Sequence, residues 1–304
     1  KGYTASLLAA ACPLGLLIPP SSAQILYAWA SNTSVLACFL STIGPGIILV
    51  IFLCIVNSIL VKKMPIVLPE KLPPEERHKQ TMRNLKFGFP SLLMPIIILG
   101  GIYGGIMTPT EAAAVSVLYA IPVGMLVYKG LTLGNLRETI VTTSTTTGVV
   151  MVMFFMVMIL SRLLVMEDVP QKIADTLLSI TDNKYLILIL VNIFMIIIGM
   201  IMNDVSGILL CTPILLPVVT ALGIHPVHFA AILGVNLGMG NVTPPTAPML
   251  YLSGRICNAN INKMLPPITI LIIFAYIPTL ILTTFVPALS LTLPKLILPK
   301  IFGL

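Results

Sequence analysis

Two stretches of the chain repeat one pattern. Gly15-Leu16-Leu17-Ile18-Pro19-Pro20-Ser21 and Gly240-Asn241-Val242-Thr243-Pro244-Pro245-Thr246 each read glycine, three residues, two prolines and a hydroxyl residue. Similar tails follow, Ile25-Leu26-Tyr27 in the first and Met249-Leu250-Tyr251 in the second. A Pro-Pro pair removes two amide donors and turns the preceding residue away from helix. A helix entering such a stretch must stop and restart, leaving bare carbonyls on one side and bare N–H groups on the other. Within a bilayer, bare peptide groups persist only where they line a cavity or bind something. Carbonyls suit a small cation, and half-helix N-termini suit an anion.

Acidic residues add to this chemistry. Only Glu111 and Asp204 fall inside apolar segments, where an ionised acid costs roughly 2.5–3.5 kcal/mol on insertion scales. Thr108-Pro109-Thr110-Glu111 has the form of a capping box with proline at the first helical position, so Glu111 is expected to start a helix. Asp204 lies in a Gly-flanked interruption, Gly199 to Gly207, and is expected either to help form an ion or substrate site or to cap the helix that follows.

The elements that position these groups must be membrane helices. Charged residues make up 9% of the 304 residues and hydrophobic ones 57%, with a mean hydropathy of +1.06; soluble domains carry about 25% charged residues. Runs 34–61 and 141–160 contain no Lys, Arg, Asp or Glu and exceed the roughly 20 residues that span a bilayer. The excess of base over acid lies in short loops, as expected of cytoplasmic loops, which argues against nucleic acid as a partner. Five scattered cysteines form no CxxC pair and read as small buried hydrophobes. His225 and His228 flank Pro226 and do not suggest a metal site. No H-E-x-x-H, G-x-S-x-G or Walker motif is present, which argues against an enzyme.

The expected class is an all-α integral membrane protein, a multi-span helical bundle with inverted repeats, discontinuous helices and a re-entrant hairpin. Region 1–61 is read as the end of a first repeat, a helix over 4–30 broken around 15–22, then a span. A polar, cytoplasmic connection covers 62–87, and 88–304 forms the second repeat. Spans are predicted over 87–107, 111–128, 137–165 and 264–287, with a surface amphipathic helix in 167–184 carrying Ile173, Leu177 and Leu178. A hairpin is predicted over 185–222 with its tip near Asn203 to Ser206, and a second broken helix over 225–256. Four crossings and a hairpin separate the two broken helices, so they run in opposite directions. Lys1, the 62–86 connection, Lys129, Arg137, Arg255 and Lys263 then share the cytoplasmic side. A start without Met and a hairpin preceding only the second broken helix suggest a longer polypeptide upstream.

The ordered set of Gly100 to Gly105 with Met107-Thr108-Pro109-Thr110-Glu111-Ala112, Ile18-Pro19-Pro20-Ser21, Thr243-Pro244-Pro245, and Asn203-Asp204 ahead of Pro213-Ile214-Leu215-Leu216-Pro217 resembles the large membrane subunit of TRAP (tripartite ATP-independent periplasmic) transporters. The resemblance runs along essentially the whole chain. It departs at Thr246-Ala247-Pro248, where members commonly have glycine after the second Pro-Pro. It implies elevator-type, Na+-driven import of a small organic acid, such as a C4-dicarboxylate or sialic acid, across the bacterial inner membrane. It also implies a periplasmic substrate-binding protein and a small membrane subunit as partners. On that basis the expected sodium ligands are the carbonyls of Gly199, Gly240 and Thr243 with Thr246 nearby, and the repeat-equivalent Gly15, Ile18 and Ser21. The expected organic-acid contacts are Ser22, Asn203, Asp204, Asn236 and a hydroxyl of the 142–147 run, Thr145 among them. The alternatives are another sodium/dicarboxylate-type transporter or a non-catalytic membrane assembly subunit; a channel would need rings of polar residues along a pore.

Overall fold

The computed structural model describes residues 1–62, 73–180 and 183–299. Among them there are fifteen α-helices and no strand: α1 Gly2–Ala11, α2 Leu14–Leu17, α3 Ser22–Ala30, α4 Val35–Val61, α5 Pro74–Tyr103, α6 Pro109–Pro122, α7 Leu133–Met166, α8 Val169–Ile180, α9 Lys184–Ile201, α10 Asp204–Ala221, α11 Pro226–Val242, α12 Pro248–Ile256, α13 Leu265–Leu271, α14 Ile277–Phe285 and α15 Pro287–Ile297. Seven helical segments of this described chain are long and apolar enough to cross a membrane, with α13 and α14 counted inside one of them, Ile261–Phe285. The protein is an all-α, multi-span membrane protein.

Several boundaries differ from expectation. α5 begins at Pro74, inside the stretch read as the polar connection. Pro73-Pro74 supplies a helix start with proline at its first position, and Glu76 complements the N-terminal end of the dipole. Residues 63–72 of that connection lie outside the described residues. The amphipathic helix is present as α8, and its Ile173 packs beside Leu190, Phe194 and Ile214 of the hairpin; the side chains of Leu177 and Leu178 lie outside the description. α15 was not anticipated. It lies on α4 so closely that a methyl on Gly44 would fall 2.3 Å from the Leu289 carbonyl oxygen.

The chain forms two compact units, Lys1–Lys62 with Val152–Leu304, and Lys63–Met151. In the second unit, Tyr119 donates to the Pro90 carbonyl at 2.8 Å and Tyr128 to that of Phe87 at 2.7 Å, tying α5 to α6 and its π-helical continuation Val123–Val127. Glu111 starts α6 as expected. Its N–H donates to the Thr108 hydroxyl at 3.3 Å, and its carboxylate accepts the Thr108 N–H at 2.7 Å.

The first unit is built around α11, which is buried from Val227 to Val242. Its sequence explains this: Ala230, Ala231, Gly234, Gly238 and Gly240 give a narrow cylinder that neighbours can approach from every side. One apolar cluster joins α1, α4 and the α13–α14 region to the C-terminal half of α11, Leu17, Val235, Met239 and Tyr276 among its members. A second joins α3, α9 and α10 to the N-terminal half through Tyr27, Met195, Ile208 and Phe229.

Contacts at the ends fix directions. Tyr27, near the end of the first broken helix, donates to the Pro226 carbonyl at the start of the second at 2.7 Å. Ser6, near the start of the first, donates to Met264 beyond the end of the second at 2.9 Å. The two broken helices are therefore antiparallel neighbours. α9 runs parallel to α11: Lys184 and Gly223 are adjacent at one end, and Gly199 meets Gly240 at the other. The tip of the α9–α10 hairpin thus lies level with the second break, while α12 continues another nine residues, about 13 Å, towards the far face. The hairpin turns back part-way, as the re-entrant reading requires.

Candidate ion and substrate site

Both predicted breaks are present. α2 ends at Leu17 with Ile18 and Ser21 extended, and α3 restarts at Ser22, the halves bent by 43°. α11 ends at Val242 with Thr243 extended, and α12 restarts at Pro248. Pro19-Pro20 and Pro244-Pro245 are both cis.

The second break and the hairpin tip form one cluster. Met202 and Asn203 are extended, and the Asn203 side chain accepts the Ser206 N–H at 2.9 Å, capping α10. Asn203 thus does the capping that had been weighed for Asp204. This frees the Asp204 carboxylate to accept from the side-chain amide of Asn241, two residues before Thr243. Behind this pair the backbones touch: a methyl on Gly240 would lie 2.5 Å from the Gly199 carbonyl carbon and 2.6 Å from its Cα. The Thr243 hydroxyl donates back to the Met239 carbonyl at 2.6 Å, and the Thr243 N–H donates to Gly240 at 3.0 Å. Each of these acceptor oxygens keeps a lone pair, since a carbonyl carries two. Gly199, Asn203, Asp204, Gly240 and Thr243 of the expected residues therefore converge. Thr246 is exposed on the loop, next to Ala247, a fully buried residue at φ 29°.

The first break is a separate set of contacts on another side of α11. Leu17 packs on Gly234 and Pro13 on Gly238. Ser21 is buried and donates to the Leu16 carbonyl at 3.0 Å; Gly15, Ile18 and Ser22 are exposed. A methyl on Gly15 would meet nothing among the described residues within 4 Å. Gln24, three residues on, turns into the α3–α11 contact and donates to the Ala230 carbonyl at 3.4 Å, its own Oε1 buried without a donor among the described residues. An apolar crevice of about 350 Å³ lies between α1 and α12, lined by Leu8, Cys12, Met249 and Leu252 with Ser253 beside them.

One expected contact lies elsewhere. Asn236 is fully buried, its amide donating to Asn192 Oδ1 on α9 and to the Ile232 carbonyl, each at 2.8 Å. Asn192 in turn donates to the Thr284 hydroxyl at 3.1 Å. The reason is geometric: position 236 is one turn before Gly240 on the face that α9 covers, so its side chain meets a helix and not open space. Thr145 belongs to the second unit, and its hydroxyl donates to the Val141 carbonyl of its own helix at 3.0 Å. Asn241 and Asn192 were missed. Asn241 stands inside the repeated motif, where Leu16 is its apolar counterpart, and that difference was the available signal.

Residues 1–289 match the family described as tripartite ATP-independent periplasmic transporter, DctM component. The chain is 37% identical over 300 residues to the sialic acid TRAP transporter large permease protein SiaM of Vibrio cholerae, covering 97% of this chain and 68% of that protein. It is 35% identical over 292 residues to the isethionate TRAP transporter permease protein DctMQ of Oleidesulfovibrio alaskensis, covering 96% of this chain and 45% of that protein. It is 33% identical over 301 residues to the C4-dicarboxylate TRAP transporter large permease protein DctM of Pseudomonas aeruginosa, covering 97% and 68%. The chain thus spans between about half and two thirds of the length of these relatives. With the family match running over residues 1–289 and relatives of more than 30% identity covering nearly all of its length, the chain belongs to the DctM family, the large permease component of TRAP transporters.

Proposed function

We propose that the chain carries the transport site of a sodium-coupled importer of a small organic acid in the bacterial inner membrane. It would work with a periplasmic substrate-binding protein that delivers the acid and with a small membrane subunit. One observation carries the reading: the hairpin tip and the second break bring the Asp204 carboxylate, the Asn241 amide, the Thr243 hydroxyl and the peptide groups around Gly199 and Gly240 together at a helix interruption. These donors are oxygens, which suit a hard cation such as sodium. A carboxylate among them gives the cation its counter-charge at membrane depth, where neither charge is stable alone. Ser22 and Asn203 are exposed beside the two breaks and would offer an O–H and an amide N–H to the acid's carboxylate. Each positive charge carried inward gains about 2.3 kcal/mol per 100 mV of membrane potential, enough to concentrate an anion when more than one cation accompanies it.

Relatives named for sialic acid, isethionate and C4-dicarboxylates support an organic anion and leave its identity to experiment. The test is uptake by proteoliposomes holding the intact permease and its small membrane subunit, with the binding protein outside loaded with each labelled acid in turn. Uptake should follow an inward sodium gradient and stop when potassium replaces sodium. Equal uptake in both salts would overturn the proposal.

A further inference from the structure

We infer that the buried Asn192–Asn236 pair sets the axial register of the hairpin on α11 and so positions the ion site; this rests on the sodium reading above. α9 and α11 are parallel, and their seam is otherwise apolar or glycine, with Met195, Leu237, Gly199 and Gly240 in contact across it. Such a seam resists separation but has little preference for one axial position, because apolar surfaces are non-directional. A slip of one turn, about 5.4 Å, would leave apolar groups facing apolar groups. It would also carry the hairpin tip away from the second break.

The asparagines remove that freedom. Asn236 Nδ2 donates to Asn192 Oδ1 at 2.8 Å, and Asn192 Nδ2 donates to Thr284 Oγ1 at 3.1 Å on α14, all three residues being buried. A slipped hairpin would break both bonds and leave the Asn192 amide without partners in apolar surroundings, Asn236 keeping only the Ile232 carbonyl of its own helix. This is the device by which a buried asparagine fixes the register of a coiled coil. Gly199 follows Asn192 by seven residues and Gly240 follows Asn236 by four, so the polar pair and the glycine contact lie on one seam. Register set at the asparagines is passed by two rigid helices to Asp204 and Asn241. Asn192 and Asn236 are positioning residues, reaching the ion only through the helices they join.

The test uses N192L, N236L and the double variant N192L/N236L in the intact permease, leucine having nearly the shape of asparagine. N236L leaves the Asn192 Oδ1 without its donor, and N192L leaves Thr284 without its donor and Asn236 with the Ile232 carbonyl alone, so each should lower the Tm. The double variant strands no amide, so its Tm should return towards that of the parent. Its sodium half-saturation should stay raised, about tenfold, with the maximal uptake rate retained, because nothing now chooses the register. A purely structural role would restore both together. Disulfide yield between the D204C and N241C substitutions, against single-cysteine controls, reads the register without sodium and should fall in the double-leucine background. Parental sodium half-saturation together with parental disulfide yield in that background would overturn the inference. If the parent shows no sodium dependence but the disulfide yield falls, the register role stands and the sodium reading is what fails.

Discussion

Gly15 and Gly240 hold the same place in the repeated motif, yet the structure predicts opposite responses to one added methyl group. At Gly240 that methyl would lie 2.5 Å from the Gly199 carbonyl carbon, 2.6 Å from its Cα and 2.9 Å from the Met200 nitrogen. All three are backbone atoms that cannot rotate aside, so α9 must retreat by about 1 Å to reach ordinary contact. Overpacking of this kind costs about 1–3 kcal/mol. The retreat also draws Asp204 away from Asn241, and if the full cost falls on the sodium-bound arrangement, half-saturation rises by about 5- to 150-fold. At Gly199 the nearest atoms to an added methyl are the Leu237 Cα at 3.1 Å and the Gly240 Cα at 3.2 Å. A shift of a few tenths of an ångström suffices there, and the effect should be clearly smaller. At Gly15 nothing among the described residues lies within 4 Å, and alanine is the better helix former by up to about 1 kcal/mol. Thermal unfolding in detergent and sodium titration of uptake should therefore rank the variants Gly240→Ala as most damaged, Gly199→Ala next, and Gly15→Ala as unchanged or stabilised. A Gly15→Ala variant as damaged as Gly240→Ala, or a Gly240→Ala variant with the parental Tm and sodium curve, would refute this reasoning.

Asp204→Asn, Asn241→Leu and Thr243→Val should each raise sodium half-saturation at least severalfold; normal coupling in all three would remove the assignment of the ion to the second break. Ala247, buried at φ 29°, should accept glycine with a change within about 1 kcal/mol, because relief of left-handed strain offsets the lost methyl and the added chain entropy. Ala247→Val should lower the Tm by several degrees, and a neutral valine there would contradict the backbone geometry. Thr108→Ala removes the hydroxyl that caps α6 and should lower thermal stability modestly while leaving the sodium curve unchanged; a shifted curve would give that cap a part in transport.

The breaks were legible in the sequence because Pro-Pro is a covalent interruption whose effect does not depend on neighbours. The α6 start was legible for a similar reason: Thr108 and Glu111 need only each other. What was not legible depends on which face a helix turns to a partner distant in the chain. Asn236 looked like a polar group near a cavity, and only the position of α9 shows that it meets Asn192. Asn241 looked like filler between glycine and Pro-Pro until the hairpin tip arrived beside it. The start of α5 at Pro74 was missed because charged residues were read as loop, although a helix leaving the bilayer can carry them as well as a loop can.

The two breaks share a motif, and among the described residues they differ in what is packed against them. At the second, the hairpin delivers a carboxylate and a glycine backbone to the interruption. At the first, Leu17 and Pro13 pack on α11, Ser21 is turned onto its own chain, and Gly15 faces open space. Peptide groups freed by Pro-Pro are thus only half of a cation site, since a carbonyl cluster without a counter-charge must still balance the cation's lost hydration. Sodium bound at the second break should therefore depend on Asp204 and be insensitive to Ser21→Ala. If Ser21→Ala and Asp204→Asn weakened sodium binding equally in this chain, measured directly by isothermal titration with sodium chloride, the breaks would be equivalent and the hairpin would not be what makes one of them a site.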